Sequence, residues 1–191
     1  MSTPRQTLAL IGLRCSGKSS VGERLAKTLG LPFTDLDERV REFASNVEAT
    51  EFHHTGEVLA MIGASRFRAL ESLALAMALD RKVPFVLATG GGVVELAENR
   101  SRLASSSLVI WLDAPLDVLS ARLRADPALR PPVLGRDPVE ELAALHARRA
   151  AWYAEVANLR IDSGADSPDV IAARLSEHPR VKEWLLAASA A

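Results

Sequence analysis

Apolar residues fall along this chain in short, nearly unbroken runs, separated by longer stretches in which they recur every three or four positions. The runs at 7–11, 31–34, 83–88, 108–112 and 159–161 predict β-strands buried on both faces. A strand with one solvated face would alternate apolar and polar residues instead. Between them, the 3.6-residue period predicts helices over 18–29, 64–79, 94–104, 115–124 and 139–157. Ser167-Pro168-Asp169 reads as an N-cap with proline at the first helical position, opening a helix to about Leu175, and a last helix runs over about 181–186. Strand–helix alternation of this kind gives an α/β fold, a parallel sheet covered on both faces. Ligands in such sheets bind at the carboxyl ends of the strands. Two stretches depart from the pattern: 42–55 is polar and weakly periodic, and 125–137 carries three prolines and reads as an irregular, mobile loop.

Unusual residues stand where that rule puts a site. After the first run comes Gly12-Leu-Arg-Cys-Ser-Gly17-Lys18-Ser19, which fits G-x-x-x-x-G-K-[ST] between a strand and a helix. A random chain of this length would show the pattern in roughly one case in a hundred. The loop, with Arg14, Cys15, Ser16 and Ser20, would turn its backbone N–H groups toward phosphate oxygens, aided by the helix N-terminus. Lys18 would reach the β- and γ-phosphates and Ser19 would ligate Mg²⁺. Cys15 is either a small residue filling a loop position or a thiol activated by the helix terminus.

After the second run, Asp35 and Asp37 flank Leu36 and, at the end of an extended segment, point to the same side. They could serve a metal and an acceptor hydroxyl, or simply open a solvated helix with Asp as its N-cap. Arg68 and Glu71 share a helical face as i and i+3 partners. Gly90, Gly91 and Gly92 follow the third run, where consecutive glycines contribute nothing to a core but let backbone approach a ligand closely.

The bulk numbers exclude more than they select. With 191 residues, 48% hydrophobic and 25% charged, the chain has the make-up of one ordinary globular domain. A net charge of −1 gives no electrostatic reason to expect nucleic acid or an anionic membrane as a partner. The first residues carry no apolar signal core, the segment 7–13 is too short to cross a bilayer, and one cysteine cannot form an internal disulfide. A cytoplasmic protein is expected.

The motifs GLRCSGKS, FTDLD, FRALE, TGGG, LRPPVL and RRAAWY follow one another in an order that resembles the shikimate kinase family over nearly the whole chain. The resemblance implies a single domain over 1–191: a three-layer P-loop kinase fold with a central five-stranded parallel sheet and a mobile lid at about 125–137. It implies ATP and Mg²⁺, transfer of the γ-phosphoryl group to the 3-hydroxyl of shikimate in aromatic amino-acid biosynthesis, and a monomer. Asp37 then contacts the acceptor hydroxyl as base, Asp35 stands near Mg²⁺, and the acceptor region covers about 35–75. Arg68, Gly91 and Arg149 hold shikimate, Arg130 closes over the ATP phosphates, and Arg122 lies against the adenine. The chain departs from the family pattern at Gly63-Ala64, at Arg130-Pro-Pro-Val-Leu, at Asp162-Ser-Gly-Ala165, and in a longer segment between Asp37 and Glu57. His53 and His54 in that segment read as a solvated pair, with a catalytic or metal role as the alternative. Two other functions stay open: a ligand-sensing module on the same scaffold, and a kinase for another small hydroxy acid such as a gluconate-like compound.

Overall fold

Five parallel strands form one sheet in the order β2-β3-β1-β4-β5. They are β1 (Thr7–Ile11), β2 (Phe33–Asp35), β3 (Phe85–Ala88), β4 (Ser107–Asp113) and β5 (Leu159–Asp162). The computed structural model describes residues 5–125 and 138–190. The helices are α1 (Lys18–Leu29), α2 (Leu36–Glu48), α3 (Thr55–Leu79), α4 (Ala97–Ser106), α5 (Leu116–Ala125), α6 (Pro138–Val156), α7 (Pro168–Glu177) and α8 (Pro179–Ser189), with a short 3₁₀ turn at Val93–Glu95. The expected lid at about 125–137, with Arg130, lies outside the described residues apart from Ala125 at the end of α5.

The unbroken apolar runs are explained by two separate cores. Side chains alternate across a strand, so Leu8, Leu10, Val86, Leu108, Ile110 and Leu112 face a core completed by α1, α7 and α8. Their neighbours Ala9, Ile11, Phe85, Leu87, Val109 and Trp111 face a larger core beneath α2 to α6. Every residue of β1 is buried. A central strand has no solvent side on which a polar residue could stand.

Helix ends follow local chemistry. Gly30 closes α1 in the left-handed conformation, at φ 67°, returning its N–H to the Ala26 and Lys27 carbonyls. Ser167 caps α7, its hydroxyl accepting from Val170 N. Trp184 on α8 donates its indole N–H to the Arg5 carbonyl at 2.6 Å, tying the last helix to the start of the chain. No described helix is long and apolar enough to cross a membrane.

One expectation needs correction and another needs an addition. The segment 42–55 is not irregular throughout: α2 runs on to Glu48 because Leu36, Val40 and Ala44, each four apart, lie on the core. Ala49 then ends the helix in a left-handed turn and buried Phe52 pins the connection. The helix expected over 64–79 is present, opening after a non-helical break at Gly63 (φ 77°, ψ 162°); what the sequence reading lacked is the helical segment from Thr55 that precedes the break in α3.

Ile110 is fully buried in β4 against the α1/α7/α8 core. Ile110→Ala is expected to cost about 2–5 kcal/mol, read as a lowered denaturation midpoint with an unchanged slope.

Candidate functional site

All five strands deliver their carboxyl ends to one edge, and the expected site residues converge there. Gly12 follows β1 with φ 143°, and a Cβ on it would stand 2.3 Å from the Leu112 carbonyl of β4. Only glycine fits. Gly17 is the N-cap of α1 at φ 91°, and Cys15 adopts φ 62°, so the loop between is tightly coiled. Lys18 is buried, its Nζ donating to the Leu13 carbonyl at 2.7 Å across its own loop.

Ser19 Oγ donates to Asp35 Oδ2 at 2.5 Å, and Asp35 Oδ1 accepts from Asp37 N at 2.9 Å. Asp35 is therefore the N-cap of α2 and a neighbour of the phosphate loop at once; the two readings of it were not exclusive. Asp37 sits in the first helical turn rather than in extended chain, as the sequence spacing had suggested, yet both carboxylates face the same cavity. That cavity, about 480 Å³, is lined by the loop residues Arg14, Cys15, Gly17, Lys18, Ser19 and Ser20 together with Asp35, Asp37 and Arg41. His53 and His54 also line it. Their backbone N–H groups go to Glu57, whose carboxyl they hold below its usual range.

A second, smaller cavity adjoins the first. It is lined by Arg14, Asp37, Phe67, Arg68, Glu71, Gly90, Gly91, Gly92 and Arg149. Asp37 lines both. A Cβ on Gly90 would stand 2.6 Å from Glu71 Oε1 and 2.7 Å from Asp37 Oδ1, and one on Gly92 would stand 2.1 Å from Arg68 Nη2. The glycines are thus the only residues that let these charged groups close on the turn. Tyr153, fully buried, donates its hydroxyl to the Gly91 carbonyl at 2.5 Å.

Charge in this wall is dense and mostly buried. Arg68 Nη1 donates to Glu71 Oε2 at 2.8 Å, and Glu71 is 1% exposed. Burial drives the Glu71 carboxyl up, to about 7; Asp37's negative charge adds to this while Arg68 and Arg149 oppose it. Glu95 accepts from Arg149 through Nε (2.9 Å) and Nη2 (2.6 Å), and from Arg68 through Nε at 3.3 Å. Burial works against the charged Glu95 carboxyl, but the charges of Arg149, Arg68 and Arg148 outweigh it and hold it below its usual range. Burial likewise raises the Tyr153 phenol well above its ordinary value.

On the far side of the phosphate loop a cleft of about 390 Å³ is lined by Cys15, Ser16, Gly17, Ser20, Arg122 and Ser163. Arg122 bridges it, donating to the carbonyls of Cys15 (3.3 Å), Ser163 (2.7 Å) and Gly164 (3.2 Å). This is where a base attached to the phosphates would extend. Of the expected site residues only Arg130 lies outside the described residues.

Glu95 and Tyr153 were not anticipated. The signal for Tyr153 was its place four residues after Arg149 on one helix, hence on the same face. For Glu95 the sequence carried no local signal, because its partners stand 27 and 54 residues away. The oxygen donors Ser19 and Asp35 suit Mg²⁺, which takes one or two protein ligands where phosphates and water supply the rest.

The chain is similar to known proteins over most of its length. A family model described as shikimate kinase matches residues 14–179. A shikimate kinase of Caulobacter vibrioides is 40% identical over 168 residues, covering 87% of this chain and 78% of the relative. One of Symbiobacterium thermophilum is 40% identical over 171 residues, covering 89% and 94%. Among solved structures, a shikimate kinase from Acinetobacter baumannii in complex with shikimate superposes with a TM-score of 0.77 at 28% identity, covering 91% of each chain.

The raised Glu71 carboxyl has a consequence for stability. A carboxyl that binds its proton more tightly in the folded state stabilises most at low pH, and that contribution is lost as pH rises from about 4.5 to about 7. The stability of the wild type relative to Glu71→Gln should therefore fall across that window and level off above it, as read by denaturant melts at several pH values. A difference that does not change with pH would contradict the assignment.

Proposed function

The chain belongs to the shikimate kinase family, and on that premise we propose that it transfers the γ-phosphoryl group of ATP to the 3-hydroxyl of shikimate. One observation supports this above the others: Asp37 stands where the phosphate cavity and the arginine-lined cavity meet. A hydroxyl bound in the second cavity would face a phosphate bound in the first across a single carboxylate.

In this reading the amides of Gly12 to Ser19 and the α1 N-terminus cradle the β- and γ-phosphates. Lys18 leaves the Leu13 carbonyl to meet them. Ser19 and Asp35 would hold Mg²⁺, which would supply neutralisation of the charge shared by the transferred and leaving oxygens. Arg68 and Arg149 bind the acceptor's carboxylate, which planar guanidinium groups match in shape as well as charge. Glu71 fixes Arg68, and the glycine turn forms the floor on which the ring lies. Asp37 accepts a hydrogen bond from the 3-hydroxyl, orients its oxygen toward the γ-phosphorus, and takes the proton as the new P–O bond forms and the bond to ADP breaks. Arg122 walls the base cleft, and Arg130 is assigned to lid closure by its place in the LRPPVL motif. A monomer working in the cytoplasm, where ATP is supplied, belongs to the same reading.

The test is ADP release by purified protein with ATP and Mg²⁺ against a panel of hydroxy acids that includes shikimate and gluconate. Shikimate should be turned over and gluconate should not. Lys18→Ala should lower kcat by roughly 10²–10³-fold, and Asp37→Asn by roughly 10²–10⁴-fold, with both variants folded. ATP binding without turnover of shikimate would sink the proposal and favour a sensing module; turnover of another acid alone would change the acceptor.

A further inference from the structure

The carboxylate-binding role given to Arg68 and Arg149 requires that two like charges be kept side by side in a buried wall. Arg149 is 5% exposed. Two neighbouring guanidinium groups repel, and a buried cation without a partner turns toward water. Both arginines instead meet on one carboxylate. Glu95 Oε1 accepts from Arg149 Nε at 2.9 Å and Nη2 at 2.6 Å, while Oε2 accepts from Arg68 Nε at 3.3 Å and lies 3.6 Å from Arg148 Nη2.

Where Glu95 stands relative to the acceptor cavity decides what it does. The nitrogens it does not engage point to the glycine turn: Arg149 Nη1 is 3.6 Å from where a Cβ on Gly91 would be, and Arg68 Nη2 is 2.1 Å from that position on Gly92. Gly91 and Gly92 line the acceptor cavity and Glu95 does not. Glu95 lines a different cavity, of about 750 Å³, which shares Arg68 and Arg149 with the acceptor cavity and adds Ser72, Leu73, Arg102 and Arg148. Its backbone is itself held in place. Glu95 N donates to the Gly92 carbonyl at 3.0 Å, Asn99 Nδ2 donates to the Val93 carbonyl at 3.1 Å, and Arg100 Nη1 donates to the Val94 carbonyl at 2.8 Å.

We propose that Glu95 is a positioning residue for acceptor binding, a role that rests on the acceptor being a small carboxylate as proposed above. It locks Arg68 and Arg149 at a fixed separation, with one edge of each guanidinium presented to the acceptor's carboxylate. Glu95 lines neither the phosphate cavity nor the acceptor cavity, so its effect is confined to recognition of that carboxylate through the two arginines.

Steady-state kinetics with shikimate and with its methyl ester, on wild type, Glu95→Ala and Glu95→Gln, test this. Glu95→Ala should raise KM for shikimate about tenfold or more, leave kcat within about twofold, and leave KM for ATP unchanged. The preference for shikimate over its ester in kcat/KM should shrink by about the same factor, because the ester is neutral and has no carboxylate for the arginines to recognise. Glu95→Gln retains an oxygen for Arg149 and should give a smaller rise, about threefold. Circular dichroism melts establish that each variant is folded, and if Glu95→Ala is not, Glu95→Gln decides. A KM for shikimate that is unchanged, or that falls because Glu95 competes with the substrate, overturns the proposal. So does an equal loss for shikimate and ester, which marks a merely structural role. A wild type that does not phosphorylate shikimate overturns the acceptor assignment and this role with it, whereas an active wild type with unaffected variants overturns this role alone.

Discussion

The approach of Gly12 to the Leu112 carbonyl is the constraint on which the site depends. A side chain at position 12 would collide with β4 at 2.3 Å, so the chain leaving β1 can pass only as glycine, at φ 143°. That passage sets the course of the phosphate loop and points the N-terminus of α1 back over the sheet edge. The strand order then does the rest. Because β3 lies beside β1 and β2 beside β3, the glycine turn after β3 and the aspartates after β2 arrive next to the loop. Parallel strands end at one edge, and the order of the strands decides which motifs become neighbours there.

The second half of the site is built from charge rather than shape. Arg68, Arg149, Glu71, Glu95 and Asp37 lie in or beside one wall, three of them acidic, and the glycines let them close on it without side chains in the way. Burial makes each of these charges costly unless it is answered by another. The answers are specific: Glu71 to Arg68, and Glu95 to Arg149 and Arg68 together. In the proposed function, arginines already held by these carboxylates would meet an acceptor's carboxylate at a lower ordering cost. Asp37 lines both this wall's cavity and the phosphate cavity, and the proposed function gives it the step from binding to chemistry.

Much of this was legible in the sequence where local chemistry decides it. The run at 7–11 and the helix at 18–29 match the structure residue for residue, because a strand buried on both faces and a helix closed by Gly30 both carry unambiguous local signals. Residues of the phosphate loop, both aspartates, Arg68, Glu71, the glycine turn and Arg149 line two adjoining cavities, although Asp37 stands in a helical turn and not in extended chain. The extension of α2 to Glu48 was missed because its buried stripe, Leu36, Val40 and Ala44, is thin and lies among polar residues. Glu95 was missed for a deeper reason. Its partners stand 27 and 54 residues away, so its value appears only when the fold brings three separate elements together. Resemblance to a family supplied the acceptor's identity; the residues alone had left it as a small hydroxylated carboxylate.

The central claim is that one carboxylate, Asp37, directs a hydroxyl of a carboxylate-anchored ring at the γ-phosphate. The most direct measurement is proton and phosphorus NMR of the product formed from ATP, Mg²⁺ and shikimate by the wild-type protein. The account predicts a single new phosphomonoester, its phosphorus coupled to the proton on carbon 3, formed in equal amount to ADP. Inorganic phosphate released with shikimate unchanged, or phosphate carried on a different hydroxyl, would contradict it.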